Sequence, residues 1–162
     1  LLFLTVLFSD ELSLLLTEVN MIVHRPYTLA IIDDNESIRD VVALTVENNF
    51  AADLVQTLTF ASGPEVLADF KERQADIFLV DINMPGMYGD SLLQELLTLK
   101  RNAIIVIMSG DNSFTITSNC FMDGARFYLQ KPFHADELVQ ILHSCLFQLD
   151  HWANIFDKHR KK

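Results

Sequence analysis

Short apolar runs and helix-like patterns alternate along the chain after Pro26. The run at residues 103–108, AIIVIM, is apolar throughout, which is typical of a parallel strand that is covered on both faces. Four further runs have strand length and are bounded by polar or turn-forming residues. The five predicted strands are Thr28–Ile32, Asp53–Leu58, Asp76–Val80, Ala103–Met108 and Arg126–Leu129.

Segments with apolar residues at helical spacing separate these strands. The predicted inward faces are Ile38, Val41, Val42 and Thr45 in the first helix, Leu92, Leu93, Leu96 and Leu97 in the third, and Leu138, Ile141, Leu142, Cys145, Leu146 and Leu149 in the last. Gly63-Pro64 and Asn112-Ser113 indicate helix starts, with a proline near the first turn and a capping side chain respectively. This alternation predicts a doubly wound α/β fold, a parallel sheet with right-handed crossovers and helices on both faces.

Residues 1–27 precede the alternating pattern and form a predicted N-terminal extension. Its apolar positions follow helical spacing and indicate an amphipathic helix that pairs with a partner or lies on a surface. These positions are Leu4, Phe8, Leu12, Leu15, Val19 and Ile22. A signal peptide requires basic residues before its apolar stretch, and none precede these positions. Ser9-Asp10-Glu11 interrupts the apolar run, which is therefore far shorter than the roughly 20 residues of a membrane span. The other interpretation is an over-extended reading frame over residues 1–20, because the chain starts with Leu and Met21 lies just before the first strand.

The pattern predicts one domain over residues 28–149, followed by a C-terminal extension over residues 150–162. The periodicity of the last helix continues through Trp152, Ala153 and Phe156, so we expect the helix to run past the domain edge and offer a partner surface. The basic tail at residues 159–162 is interpreted as a solvated helix end.

Charge and cysteine content narrow the function classes. The formal net charge is −10, and a surface of this sign repels nucleic acid, so we expect no direct DNA binding. Cys120 and Cys145 form no CxxC pair and have no histidine at zinc-ligand spacing. They are predicted to be small core residues in a reducing, cytoplasmic compartment.

Polar side chains follow the predicted strands at the points where the strands end. Asp33 and Asp34 follow the first strand, Asp81 the third, Ser109 the fourth, and Lys131 comes just after the fifth. Each of these residues alone is ordinarily a helix cap or a loop residue. In open α/β sheets, however, ligands bind beyond the carboxyl ends of the strands, so a shared site is the economical interpretation.

The chemistry of these five groups is mutually compatible. Three crowded carboxylates repel by about 4 kcal/mol per pair at 4 Å and an effective dielectric near 20. Mg²⁺ prefers hard oxygen ligands and offsets this repulsion, while Lys131 supplies a second, fixed positive charge. The Ser109 hydroxyl can donate to a phosphoryl oxygen. Phosphoryl transfer requires mainly positioning and charge neutralisation, which this set provides.

Four sequence blocks carry a family resemblance. They are IIDDN at 31–35, VDINMPGMYG at 80–89, IMSG at 107–110 and YLQKPF at 128–133, with Glu137-Leu138 following. In this order and at these strand ends they resemble the signature motifs of the response-regulator receiver family, over roughly residues 28–149. The resemblance implies a flavodoxin-like, three-layer fold with five parallel strands in the order 2-1-3-4-5.

The resemblance also implies a role for each acidic residue. Asp81 would be the phosphoacceptor, attacking a phosphohistidine of a sensor histidine kinase or a histidine phosphotransfer protein. Asp34 and Asp81 would bind Mg²⁺ directly, joined by the backbone carbonyl of Asn83, and Asp33 would contribute through a water molecule.

A switch is implied by the remaining motif residues. Lys131 would pair with the phosphoryl group, and its peptide bond to Pro132 would be cis. Ser109 would move toward a phosphoryl oxygen, and Tyr128 would rotate inward into the space released. These movements would change the surface formed by the fourth helix, the fifth strand and the last helix. A dimer would form through this surface or through the terminal extensions.

Some positions depart from the commonest family pattern. Tyr88 stands where the family usually has Asp, and Gly110 stands where Ala is frequent. Neither position touches the expected phosphoryl chemistry. Asn83 and Asp111 occupy the two variable positions that tune the lifetime of the phosphoryl group, so the sequence leaves that lifetime open.

Two other function classes stay open. A phosphatase of the haloacid-dehalogenase kind also uses an aspartate nucleophile and Mg²⁺. That family places Asp-x-Asp after its first strand, whereas in this chain the Asp-x-Asn-Met-Pro run follows the third predicted strand. A receiver-like interaction module would bind partners regardless of phosphate. About a dozen residues follow Leu149, too few for a helix-turn-helix domain. We therefore expect the domain to act by binding a protein target or by passing its phosphoryl group on. We expect a signalling domain and not a classical enzyme.

Overall fold

The structure is a computed structural model that describes residues 26–85, 89–111 and 113–160. In chain order its elements are β1 Tyr27–Ile32, α1 Glu36–Asn49, β2 Val55–Phe60, α2 Gly63–Asp69, β3 Ile77–Asp81, α3 Gly89–Leu99, β4 Ile104–Ser109, α4 Phe114–Met122, β5 Phe127–Gln130 and α5 Ala135–Arg160. The predicted helix in the N-terminal extension lies outside the described residues. The predicted domain boundaries at residues 28 and 149 stay predictions.

The five strands form one parallel sheet in the order β2-β1-β3-β4-β5, which confirms the predicted fold. Alternate strand residues point to opposite faces, so Leu29 and Ile31 belong to one core layer while Ala30 and Ile32 belong to the other. Helices α1 and α5 cover the first layer, and α2, α3 and α4 cover the second. Because both faces are covered, the central strands β3 and β4 are apolar up to their last residues, Asp81 and Ser109.

Strand boundaries differ from the predicted ones by one or two residues. β2 begins at Val55 rather than Asp53, because Ala51 accepts hydrogen bonds from the backbone N–H groups of Leu54 and Val55 in a turn. β3 begins at Ile77 rather than Asp76. The Asp76 backbone N–H donates to the Thr28 carbonyl at 2.8 Å, and the Asp76 carboxylate accepts from the Thr28 backbone N–H at 3.0 Å, so this residue joins the neighbouring strand through both its backbone and its side chain.

Helix starts agree with the capping signals. Ser62 caps α2 with a proline in the first turn, and Ser113 caps α4. The predicted inward face of α1 is wrong in part, since Val41 is 61% exposed and Val46 is buried instead. The helix has a phase in which Val42 and Val46, four residues apart, face the sheet.

The last helix continues well past the sheet, as its periodicity predicts. α5 spans 26 residues and ends at Arg160. The Tyr27 hydroxyl donates to Asp150 Oδ1 at 2.6 Å and ties the extended half of α5 to the start of β1. In the described part of the chain, no helix combines the length and the apolar character that crossing a bilayer requires.

Both cysteines are buried thiols, as predicted. Cys120 lies in the layer covered by α4, and Cys145 lies between α5 and the sheet. Burial raises the pKa of the Cys145 thiol to about 12. This thiol therefore stays protonated and acts as a small apolar core group.

Candidate functional site

All five polar residues singled out in the sequence lie at the carboxyl edge of the sheet. Asp33 and Asp34 follow β1 directly, Asp81 is the last residue of β3, Ser109 is the last residue of β4, and Lys131 follows β5. Parallel strands bring these ends to one edge. β1 and β3 are adjacent, so their acidic residues become neighbours.

The three aspartates form one cluster. Asp33, Asp34 and Asp81 each offer a carboxylate oxygen, and these three oxygens lie within 4.8 Å of one another. Asp33 and Asp81 are buried, whereas Asp34 is exposed, so the cluster opens to solvent on one side. Hard oxygen donors with an open side fit Mg²⁺, which usually keeps several waters and takes only one or two carboxylates directly.

Lys131 joins the buried pair of acids. Its Nζ lies 2.6 Å from Asp33 Oδ2 and 2.9 Å from Asp81 Oδ2. The Lys131 side chain is only 16% exposed, so this bridging contact is largely shielded from solvent. The Lys131–Pro132 peptide bond is cis, as the resemblance implies.

Backbone donors fix the orientation of both buried carboxylates. Asp33 Oδ1 accepts from the Asn35 backbone N–H at 2.9 Å, and Asp81 Oδ1 accepts from the Asn83 backbone N–H at 3.1 Å. Asn35 caps α1, so Asp33 also lies beside the positive end of that helix. Within the cluster itself, three carboxylates and the Lys131 ammonium leave an excess of negative charge, which favours a divalent cation.

Ser109 and Tyr128 both contact the backbone of one residue, Asp111. The fully buried Ser109 accepts a hydrogen bond on Oγ from the Asp111 backbone N–H at 3.0 Å. The Tyr128 hydroxyl donates a hydrogen bond to the Asp111 backbone carbonyl. The two residues predicted to form the switch are therefore linked through Asp111.

Two contributions were missed from the sequence. Arg39 Nη1 donates to the Asp33 backbone carbonyl at 2.7 Å and holds the end of β1 against α1. Its position one turn into the helix that follows the paired acids is the only signal that the sequence offered. Asp111 was noted as a variable position, but its backbone contacts with Ser109 and Tyr128 depend on loop geometry that residue types do not specify.

Characterised relatives share this region of the chain. The transcriptional regulator NtrC of Salmonella typhimurium is 34% identical over 112 residues, which is 69% of this chain and 23% of that protein. The cell cycle transcriptional regulator CtrA of Caulobacter vibrioides is 32% identical over 102 residues, 63% of this chain and 44% of that protein. The chain thus spans about a quarter of the length of NtrC.

Solved structures show the same architecture. A CheY-like receiver domain protein from Methanospirillum hungatei JF-1 superimposes with a TM-score of 0.69 at 23% identity, covering 78% of this chain and 98% of that one. Chemotaxis protein CheY4 of Vibrio cholerae gives a TM-score of 0.66 at 26% identity, covering 74% of this chain and 98% of that one. Residues 29–143 match the family of the response regulator receiver domain, so the chain belongs to this family of two-component signalling domains.

Proposed function

We propose that this receiver domain is a phosphoacceptor in which Asp81 takes a phosphoryl group from a phosphohistidine of a sensor histidine kinase or a histidine phosphotransfer protein. The observation that carries the proposal is the contact of Lys131 Nζ with the Asp33 and Asp81 carboxylates, beside Asp34. A lysine held against a buried aspartate at an open acidic edge is suited to neutralise an incoming phosphoryl group.

In the proposed transfer, a carboxylate oxygen of Asp81 forms a bond to phosphorus while the bond between phosphorus and the donor imidazole nitrogen breaks. The imidazole leaves with the electron pair and is protonated from solvent. Asp81 becomes an acyl phosphate. The Asn83 backbone N–H keeps the carboxylate oriented, and Lys131 follows the negative charge onto the phosphoryl oxygens.

The donor set supports Mg²⁺ as the cofactor. Asp34 and Asp81 would hold the ion directly, together with the backbone carbonyl of Asn83. Asp33, whose oxygens accept from the Asn35 N–H and contact Lys131 Nζ, would contribute through a water molecule, as the family resemblance implies. When bound, the ion supplies positive charge to the phosphoryl oxygens and so offsets the repulsion by the aspartates.

The contacts of Asp111 suggest how phosphorylation reaches the surface. A phosphoryl oxygen on Asp81 would attract the Ser109 hydroxyl as a hydrogen-bond donor, away from the Asp111 N–H that it now faces. Displacement of Asp111 would alter the carbonyl that holds Tyr128. A shift from 1:99 to 99:1 between two surface states requires about 5.5 kcal/mol of differential stabilisation.

Tyr128 lines a groove of about 510 Å³ between β5 and α5, together with Gln130, Pro132, Gln140, Ile141 and Ser144. We propose this groove, with α4, as the surface that a protein target binds.

Because NtrC and CtrA are transcriptional regulators by name, a link to transcription through such a target is part of the proposal. The buried thiols support a reducing, cytoplasmic compartment. The domain is proposed to signal rather than to turn over free substrates.

Acetyl phosphate in the presence of Mg²⁺ tests the proposal. The expected product is an acid-stable, base-labile phosphate that is absent from Asp81→Asn. Asp53→Asn, the same exchange at an exposed turn residue, is the matched control and should incorporate phosphate normally. A folded protein that takes up no phosphate would favour a phosphorylation-independent interaction module. Continuous hydrolysis of varied phosphate esters would favour a phosphatase.

A further inference from the structure

A second groove lies at the opposite edge of the sheet, where the strands begin. This basal groove has a volume of about 450 Å³ and lies between the strand starts and the extended half of α5. Its lining includes Tyr27, Ile104, Arg126, Arg101, Leu149 and Trp152. None of these residues belongs to the acidic cluster, so the proposed phosphoacceptor chemistry does not account for the groove.

The groove combines an apolar wall with a basic rim, and its acidic lining residue, the buried Asp76, is paired with Lys100. Leu149 and Trp152 form the wall, and residue Trp152 is 57% exposed. Arg101 and Arg126 lie on the rim and are exposed. Among the described residues, neither guanidinium has a carboxylate within salt-bridge distance, although the chain carries a net charge of −10. This surface is complementary to an amphipathic segment that is both apolar and acidic.

The chain enters the fold at this groove. Tyr27 is the first residue of β1 and lines the groove, and its hydroxyl is fixed to Asp150 on α5 at 2.6 Å. The preceding residues 1–25 are therefore tethered beside it. Four residues separate Ile22 from Tyr27, and the five steps between them span up to roughly 18 Å in an extended chain.

We propose that the basal groove is the docking site of this chain's own residues 4–22. Their apolar positions, spaced for one helix face, would cover Leu149 and Trp152. The acidic residues of the segment, Asp10, Glu11 and Glu18, complement the arginines on the rim. A short tether gives an effective concentration in the millimolar range, so even a weak contact is populated.

Trp152 is the only tryptophan of the chain and reports on the contact directly. In the full chain, Leu15→Asp places a charge on the apolar face of the segment and should red-shift Trp152 emission and increase its quenching by acrylamide. Leu14→Asp, the same exchange one position away and off that face, is the matched control and should leave both signals unchanged. Arg101→Glu with Arg126→Glu should reproduce the effect of Leu15→Asp from the groove side.

Equal signals from the unsubstituted chain, Leu15→Asp and the double arginine variant would overturn the proposal. Both arginines are exposed, so their exchange tests the contact without disturbing the core. A tethered contact is independent of protein concentration. A Trp152 signal that changes on dilution would assign the groove to a second copy of the chain and would likewise overturn the proposal.

Discussion

Replacement of Lys131 by methionine tests the electrostatic design of the site. The exchange keeps an apolar side chain of similar length and removes the ammonium that lies 2.6 Å from Asp33 and 2.9 Å from Asp81. Both acids are buried, since Asp33 is 0% exposed and Asp81 is 7% exposed. In Lys131→Met their carboxylates would face each other with no ammonium between them. The perturbation therefore leaves two buried negative charges uncompensated.

The magnitude follows from these distances. A charge pair at 2.6 Å attracts by about 6 kcal/mol at an effective dielectric of 20, and the cost of burying the ammonium offsets part of this gain. Removal of one partner from a buried ion pair typically costs about 3–5 kcal/mol. Because one side of the cluster is open to water, we expect a loss near the lower end, about 3 kcal/mol of unfolding free energy without Mg²⁺.

Urea unfolding, in EDTA and again in Mg²⁺, is the assay. Mg²⁺ should reduce the difference in unfolding free energy between Lys131→Met and the unsubstituted chain, because a cation among the aspartates replaces part of the lost positive charge. Lys100→Met is the matched control, since Lys100 pairs with the buried Asp76 at 2.7 Å at the other edge of the sheet. Its loss of stability should not respond to Mg²⁺. A Lys131→Met loss below about 1 kcal/mol, or an equal Mg²⁺ response of both variants, would refute the reasoning.

Three other substitutions probe separate features. Tyr128→Phe removes the hydrogen bond to the Asp111 carbonyl and should lower the unfolding free energy by about 1 kcal/mol in urea titrations; an unchanged value would show that this contact is unimportant in solution. Gly124→Ala should lower the unfolding free energy by about 1–3 kcal/mol, because Gly124 has φ = 110° and an added Cβ would lie 2.6 Å from Leu97 Cδ1. A melting temperature equal to that of the unsubstituted chain would contradict this. The Cys145 thiol ionises near pH 9 in the unfolded chain, whereas its raised pKa of about 12 keeps it neutral in the folded protein. The free energy of unfolding should therefore decline as the pH rises from 9 to 12, and it should decline less in Cys145→Ala. Identical pH profiles of the two proteins would contradict the assignment.

The alternation of apolar runs and helical patterns was sufficient to predict the sheet. The apolar residues 104–108 of β4 are recognisable as a strand because both faces of this strand are covered. Boundaries were less predictable where a side chain adds to the backbone pairing, as the Asp76 carboxylate does toward the Thr28 N–H. The phase of α1 was missed because Val41 and Val46 are equally apolar, and only packing against the sheet decides which of them is buried.

The candidate site was predictable as a set of residues because parallel strands bring their carboxyl ends to one edge. The sequence does not determine the path of the loop after Ser109, which lets Asp111 contact both Ser109 and Tyr128. It also gave no measure of how closely Lys131 approaches the two acids, since that distance depends on the turn between Gln130 and α5. Residue types thus identified the participants, and the loops determine their contacts.

Mapping the phosphorylated residue tests the central claim most directly. After reaction with acetyl phosphate and Mg²⁺, borohydride reduces an aspartyl phosphate to homoserine, which peptide mass spectrometry locates in the chain. We expect homoserine at Asp81 alone, dependent on Mg²⁺ and absent from untreated protein. Homoserine at Asp33 or Asp34, or a folded protein with none at Asp81, would contradict the account.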